Sequence, residues 1–167
     1  MLVFWNPGST AYAADGIETA GDVLQYVLPA VSAGMVAAHR DGKGAWQFGE
    51  SFAVTLGTTY ALKISIDETR PNGGHYSFPS GHTSSTFSCA EFLRERYGWR
   101  YGLPAYLAAA FVGYSRVESR NHYTHDVVAG AAIGILSSYI FTTPYLGWQV
   151  GLNTDHDSFG VTLSRAW

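Results

Sequence analysis

Apolar residues recur at helical spacing along most of this chain, and short polar or glycine-rich segments separate the apolar runs. This pattern predicts helices bounded by capping and turn-forming residues. Five helices are expected, over about Asp22–His39, Ala45–Asp67, Ser80–Arg96, Pro104–Val117 and Thr124–Phe141. Asp22 would cap the first helix, Ser80 or Thr83 would begin the third, Gly98 would close the third, and Thr124 would cap the fifth.

The period changes from helical spacing to alternation after residue 147. Apolar residues alternate with polar or small ones at Trp148, Val150 and Leu152, and again at Phe159, Val161 and Leu163. An Asp-His-Asp-Ser turn separates the two runs, so the pattern predicts a β-hairpin. A lone hairpin is marginal in water, so it would pack on the helices or dock onto an envelope partner. The expected fold class is all-α: a bundle of about five main helices with a small C-terminal β-hairpin over residues 147–167.

The length of 167 residues, with no internal repeat or low-complexity linker, predicts a single domain over residues 1–167. Ala11-Tyr12-Ala13 has the A-x-A pattern that precedes signal-peptidase cleavage. Residues 1–13 are therefore either the remnant of an export signal or an ordinary N-terminal segment. Val127–Trp148 is uncharged and long enough to span a membrane, but its apolar part ends near Phe141. This favours helices buried in a soluble core over membrane spans.

Composition excludes several classes of protein. Hydrophobic residues make up 47% of the chain and charged residues 14%, which excludes long disordered stretches. The formal net charge of -3 argues against nucleic-acid binding, and the single cysteine, Cys89, excludes a disulfide framework or a cysteine-rich metal site. Mean hydropathy is +0.00, which is low for a protein that lies mostly in lipid. Glu91, Arg94, Glu95 and Arg96 are expected to form a solvated helical face.

Three short blocks carry the residue types of a phosphate site. They are Lys63 with Arg70-Pro71 after six residues, Pro79-Ser80-Gly81-His82, and Ser115-Arg116 with His122 after five residues and Asp126 after three more. Lysine and arginine pair with phosphate oxygens, and a Ser-Gly pair at a helix start offers a hydroxyl and free backbone N–H groups. If the turn between them is helical, Asp126 shares a face with His122 and orients its ring as a nucleophile or base. His82 then remains as a separate proton donor.

The blocks K-x6-R-P, P-S-G-H and S-R-x5-H-x3-D have every position filled, and with them the chain closely resembles the type 2 phosphatidic acid phosphatase superfamily. That superfamily includes bacterial acid phosphatases and vanadium haloperoxidases. The resemblance covers Lys63–Asp126, and it implies that His122 is the nucleophile, Asp126 its orienting partner and His82 the general acid. The residues that it implies hold the phosphoryl oxygens are Lys63, Arg70, Ser80, Gly81 and Arg116.

The resemblance also implies the reaction and its setting. It indicates a phosphatase that uses no metal and no cofactor and hydrolyses phosphate monoesters, lipid phosphates or lipid diphosphates through a phosphohistidine intermediate. Only Asn72–Phe78 separates the first two blocks, which leaves no room for a large lid there. The expected location is extracytoplasmic, in the bacterial periplasm, with contact to the membrane surface and no nucleic-acid partner.

Three alternatives remain open. Vanadate occupies the same anion site in the haloperoxidases, although those enzymes are usually much longer. A docking role through the hairpin would be non-enzymatic. His125 lies beside Asp126 and three residues after His122, so a His/Asp metal site competes with the phosphate site for the same residues. The phosphate site is favoured because it already uses those residues.

Overall fold

Five helices make up the fold of the chain in a computed structural model. The model describes the backbone of residues 7–145, 148–155 and 158–165, and the side chains of residues 15–145. The helices are α1 (Pro7–Ala38), α2 (Gly42–Ile66), α3 (Gly81–Tyr97), α4 (Trp99–Glu118) and α5 (Thr124–Phe141). The all-helical bundle predicted from the sequence is therefore confirmed.

The predicted start or N-cap of three helices needs correction. Helix α1 begins at Pro7 and passes through Asp22, so this aspartate is not its cap. Helix α4 begins at Trp99, directly after Gly98, whose φ of 91° lets the chain leave α3 and enter α4 within one residue. Helix α5 does begin at Thr124, but its N-cap is Tyr123.

Helix α3 is the centre of the bundle and packs against the other four helices. It is buried around nearly its whole circumference although serine and threonine dominate its first half. Its second half supplies the apolar core through Cys89, Phe92 and Leu93, which meet Ala109 of α4. The interior of the bundle is consequently polar around the first half of α3 and apolar around its second half.

Short side chains let α2 and α5 approach α3 closely. The Thr55 hydroxyl donates to Oγ of Ser88 at 3.2 Å, and the Ser88 and Ser138 hydroxyls lie 2.9 Å apart. A Cβ added at Gly134 would lie 2.3 Å from the carbonyl oxygen of Ser84, so only glycine fits at this crossing. Buried hydroxyls of α2, α3 and α5 are thus hydrogen-bonded to one another across these crossings.

The predicted solvated face of α3 is wrong at two of its four positions, because Glu91 and Arg96 are buried. Arg96 donates from Nε and Nη2 to the two carboxylate oxygens of Asp41 at 2.7 and 2.5 Å, and from Nη1 to the carbonyl of Thr143 at 2.7 Å. Glu91 accepts two hydrogen bonds from Arg94, at 2.7 and 2.6 Å. Arg96 thus joins α3 to Asp41 and to the segment after α5, whereas the pairing of Glu91 with Arg94 is the expected helical one but involves a buried carboxylate.

The outer faces of the bundle are apolar. Helical residues Asp15–Ala38 and Thr124–Phe141 are long and apolar enough to cross a membrane, yet only 22% and 28% of their most apolar windows are buried. Both helices are therefore mostly exposed, and the expectation that they are buried in a core is wrong. The large apolar side chains exposed on α1, α2, α4 and α5 include Val23, Val27, Val31, Val54, Ile64, Leu103, Leu107, Phe111, Val128, Leu136 and Ile140.

Two segments beyond the bundle are described by their backbone alone. The strands β1 (Trp148–Asp155) and β2 (Ser158–Arg165) pair in antiparallel register, with Trp148 opposite Arg165 and Asp155 opposite Ser158. The packing of this segment on the helices and its docking role stay predictions. The predicted remnant of an export signal also lies outside the described side chains, and residues 1–6 lie outside the described backbone.

Candidate active site

One end of the bundle collects the three sequence blocks. The last turns of α2 and α4, the first turns of α3 and α5, the loop segments 67–80 and 119–123, and α1 all contribute side chains there. Adjoining cavities of about 520 and 450 Å³ open at this end. His82, His122 and Arg70 line both cavities, so the two form one continuous candidate site.

A buried histidine–aspartate pair lies at the start of α5. Nδ1 of His122 is 3.3 Å from Oδ2 of Asp126, and both side chains are almost fully buried. Oδ2 also accepts hydrogen bonds from the Ser77 hydroxyl at 2.5 Å and from the backbone N–H of Tyr123 at 2.9 Å. Asp126 therefore caps α5 and orients the ring at once. With Nδ1 directed at the carboxylate, Nε2 is the ring nitrogen that is free to react.

Two of the three predicted cations are held in place by backbone carbonyls of the loop that precedes α3. Lys63, in the last turn of α2, donates to the carbonyls of Tyr76 at 2.7 Å and Ser77 at 3.2 Å. Arg70 donates from Nε to the carbonyl of His75 at 3.0 Å. Backbone carbonyls are neutral, so these contacts do not compensate the positive charges of Lys63 and Arg70. Both charges remain available to an anion.

Arg116 is the third cation, and it connects α4 to α1. It is 2% exposed and donates to the carbonyl of Glu18 at 2.8 Å, to Oγ of Ser115 at 3.1 Å and to Oδ1 of Asp22 at 2.7 Å. The same Oδ1 lies 3.2 Å from Nε2 of His82. Asp22 thus links the buried guanidinium to the histidine of the second block.

The first turn of α3 faces the larger cavity through Gly81 and not through Ser80. The Ser80 hydroxyl points into the protein, where it caps α3 by accepting from the backbone N–H of Thr83 at 3.4 Å and from the Thr83 hydroxyl at 3.0 Å. Gly81 lines the cavity, next to the Lys63 side chain. The first N–H groups of a helix have no partner within it and attract anions.

The pKa values of three candidate groups are lowered, mainly by burial. Burial, assisted by Lys63 and Arg70, lowers the pKa of His122 to about 4, against the opposing effect of Asp126. Burial also lowers the pKa of His82, and Arg116 adds to this shift while Asp22 opposes it. Burial and the charge of Arg70 lower the pKa of Lys63 to about 8. At neutral pH His122 is therefore an uncharged base and Lys63 remains mainly cationic.

The two cavities differ in chemistry. The larger one extends between α1 and α2 along Leu56, Tyr60 and Ile64. The smaller one lies against α1 and is lined by polar side chains that include Glu18, Asp22 and Asn121. Both cavities reach His82 and His122. A molecule held by the cations therefore has the apolar branch of the site on one side and the polar branch on the other.

Seven of the eight predicted site residues lie at the cavities or directly behind them. Lys63, Arg70, Gly81, His82, Arg116 and His122 line the cavities, Asp126 contacts His122 from behind, and Ser80 is turned into the α3 cap. Sequence analysis missed Asp22 and Ser77 as members of the site. The spacing of the three blocks carries no signal for Asp22, and Ser77 lies in the glycine-rich loop two residues before the second block.

Comparison with known proteins places the chain in a family. Residues 72–148 match the model of the PAP2 superfamily, a segment that holds the second and third sequence blocks. The chain is 32% identical over 170 residues to a lipid A 4'-phosphatase from Helicobacter pylori, in an alignment that covers 90% of this chain and 85% of the relative. The chain belongs to the PAP2 superfamily. The family predicted from the three blocks is confirmed.

Two further proteins resemble the chain, one in sequence and one in fold. A lipid A 1-phosphatase from Porphyromonas gingivalis is 42% identical over 88 residues, which cover 50% of this chain and 20% of that protein. The crystal structure of LpxE from Aquifex aeolicus superposes with a TM-score of 0.63 at 23% identity, covering 81% of this chain and 86% of LpxE. These relatives are phosphoric ester hydrolases, which confirms the predicted enzyme class.

A second solved structure is similar in fold. It is the transmembrane PAP2-type phosphatidylglycerolphosphate phosphatase from Bacillus subtilis, with a TM-score of 0.61 at 24% identity over 83% of this chain and 77% of that chain. At these identities the likeness establishes a common fold. The fold is therefore shared with a protein described as transmembrane.

Proposed function

We propose that the chain is a membrane-associated lipid phosphate phosphatase that works through a phosphohistidine on His122. The observation that carries this proposal is the buried pair of His122 and Asp126 beside a cationic cavity with an apolar branch. The pair supplies an oriented nucleophile, and the cavity supplies the charge that a phosphoryl group requires.

In the first step, Nε2 of His122 attacks phosphorus and forms a P–N bond while the bond from phosphorus to the leaving oxygen breaks. His82 donates its proton to that oxygen, so the product leaves as an alcohol. The ring of His122 becomes cationic, and Asp126 stabilises it from Nδ1. The lowered pKa of His122 keeps the ring unprotonated before attack.

In the second step, a water molecule attacks phosphorus and the P–N bond breaks. His82, now neutral, accepts a proton from the water, and inorganic phosphate leaves with His122 restored. Lys63, Arg70, Arg116 and the first N–H groups of α3 stabilise the phosphoryl oxygens in both steps. In this scheme Ser80 contributes as the cap that positions those N–H groups.

The two branches of the cavity support a lipid substrate with a polar headgroup. Leu56, Tyr60 and Ile64 offer an apolar surface to acyl chains, while Glu18 and Asn121 offer acceptors and donors to headgroup hydroxyls. The two relatives named above act on lipid A. We therefore propose lipid A, or a lipid phosphate of similar build, as the substrate.

The apolar outer faces support a location in a membrane. Aliphatic side chains are exposed on four helices and need an apolar partner to cover them. Lipid acyl chains provide such a partner. We propose that α1 and α5 lie among lipid chains and that the catalytic end faces the extracytoplasmic surface, where the cations lie outside the hydrocarbon. A substrate moving within the bilayer then reaches the opening between α1 and α2.

Purified protein in detergent, without added metal and with EDTA, tests this function. We expect phosphate release from lipid A to exceed release from a soluble aryl phosphate, and His122→Asn to abolish both. His39→Asn is the matched control, because His39 is an exposed histidine at the opposite end of α1. Labelled phosphate should remain on the wild-type protein in alkali and leave it in acid, as expected for phosphohistidine. Full activity of His122→Asn would refute the proposal.

A further inference from the structure

A second cluster of ligating atoms lies on the outer side of Asp126. Nε2 of His125 is 3.0 and 3.2 Å from the two carboxylate oxygens of Glu68 and 3.1 Å from Oδ1 of Asp126. The His125 ring is stacked on Tyr123, with centroids 5.3 Å apart and planes 9° apart, and on Phe78 at 6.1 Å. Two aromatic neighbours therefore hold this exposed imidazole in one orientation.

Asp126 gives an independent indication that something binds here. Its Oδ2 accepts from Ser77 and Tyr123 and lies against His122, whereas Oδ1 is buried and has no hydrogen-bond partner among the described residues. A buried carboxylate oxygen without a partner costs free energy. Oδ1 faces His125, so a cation placed between them would satisfy it.

We propose that Glu68, His125 and Asp126 form a binding site for a divalent transition metal of the zinc class. One imidazole nitrogen and two carboxylates are a common ligand set for such ions, with bonds of about 2.0–2.2 Å. Ligands on a tetrahedral ion at these distances lie about 3.4 Å apart. This is close to the 3.0–3.2 Å that separate Nε2 of His125 from the oxygens of Glu68 and Asp126, and all of the ligating atoms lie within 4.8 Å of one another. His125 and Glu68 are partly exposed, which leaves an entry path and room for a bound water.

The metal would inhibit the enzyme and would take no part in its chemistry. A cation on Oδ1 withdraws the charge that Asp126 directs through Oδ2 to His122. The phosphohistidine then loses its counter-charge, and turnover falls. This inhibitory consequence rests on the proposed function, but metal binding at the site does not.

Direct titration of the full, detergent-solubilised protein tests the site. The protein is freed of any affinity tag and stripped with EDTA, and Zn²⁺ binding is measured by calorimetry. We expect one site per chain that is weakened at least tenfold in Glu68→Gln and in His125→Gln. His75→Gln is the control, because His75 is another exposed loop histidine, 3.5 Å from a single carboxylate, and its loss should leave Zn²⁺ affinity unchanged. Equal affinity in all four proteins would overturn the proposal.

Activity assays separate this proposal from the proposed function. Zn²⁺ should slow wild-type turnover and have at least tenfold less effect on Glu68→Gln, whose activity without metal should match the wild type. Equal inhibition of both proteins would overturn the inhibitory site. If the wild-type protein binds Zn²⁺ through Glu68 and His125 but shows no phosphatase activity, the proposed function is refuted and the metal site stands.

Discussion

Replacing Asp22 with asparagine tests whether α1 takes part in proton transfer. Oδ1 of Asp22 lies 3.2 Å from Nε2 of His82 and 2.7 Å from Nη1 of Arg116. Its charge raises the pKa of His82 against the lowering effects of burial, Arg116 and Arg70. Asparagine keeps the shape and removes this charge, so the pKa of His82 should fall further below its ordinary value.

The size of the change follows from the exposure of the pair. About half of the Asp22 side chain is exposed, so water screens its interaction with His82. Such pairs contribute about 0.6–1 kcal/mol, which corresponds to about a three- to fivefold change in the protonation equilibrium of His82. In the proposed mechanism His82 must be protonated to act as the general acid, so the alkaline limb of the pH profile should move to lower pH. Above the limb the rate should fall about three- to fivefold, and at acidic pH it should change little.

The assay is kcat/KM for a lipid phosphate between pH 4 and pH 8, compared with Glu18→Gln. Glu18 lines the same cavity one turn earlier on α1, and its carboxylate accepts from Asn121 at 2.6 Å. This control removes a charge at a similar depth, away from His82. The position of the limb is decisive, because removing a negative charge also changes phosphate affinity. An unmoved limb in Asp22→Asn, or an equal shift in Glu18→Gln, would refute the reasoning.

Three further substitutions test the site and the bundle. Asp126→Asn should lower kcat about 10²–10⁴-fold with a smaller change in KM, in steady-state assays, and an equal change in both would contradict its orienting role. Gly134→Ala should destabilise the bundle by about 1–3 kcal/mol in denaturation curves, because its Cβ would lie 2.3 Å from a carbonyl of α3. Gly34→Ala, with nothing within 4 Å, is its control and should not destabilise. Arg96→Ala should cost about 3–5 kcal/mol because it leaves Asp41 buried and unpaired, and a stable variant would contradict this.

The part of the site that sequence predicted consists of residues that are brought together by their spacing along the chain. His122 and Asp126 are four residues apart at a helix start, so their contact follows from helical geometry. Gly81 faces the cavity because it begins α3. The same argument placed Ser80 on the phosphate, yet a hydroxyl at a helix start also caps the helix, and here it caps. Sequence alone does not decide between these two uses of one oxygen.

The residues that sequence missed reach the site through tertiary packing. Asp22 lies in the middle of a helix, 94 residues before the arginine that it contacts, and nothing in its neighbours distinguishes it from a surface aspartate. A helix-capping role was the simplest local explanation, and the continuation of α1 to Pro7 removed it. Ser77 lies 49 residues before Asp126, to which its hydroxyl donates, and sequence missed it for the same reason. Contacts of this kind become visible only when the packing of helices is known.

The expectation that the apolar helices are buried failed because mean hydropathy does not show how the residues are arranged. A mean hydropathy of +0.00 results when polar residues are exposed and apolar residues buried, and equally when the arrangement is reversed. Here the most polar helix, α3, is at the centre, and its hydroxyls are satisfied by Thr55, Thr59 and Ser138 of neighbouring helices. Aliphatic side chains such as Leu107 and Leu136 face outwards instead. Hydrogen bonding inside and apolar contact outside is the distribution that a lipid surrounding favours, and the candidate site lies at the polar end of this bundle.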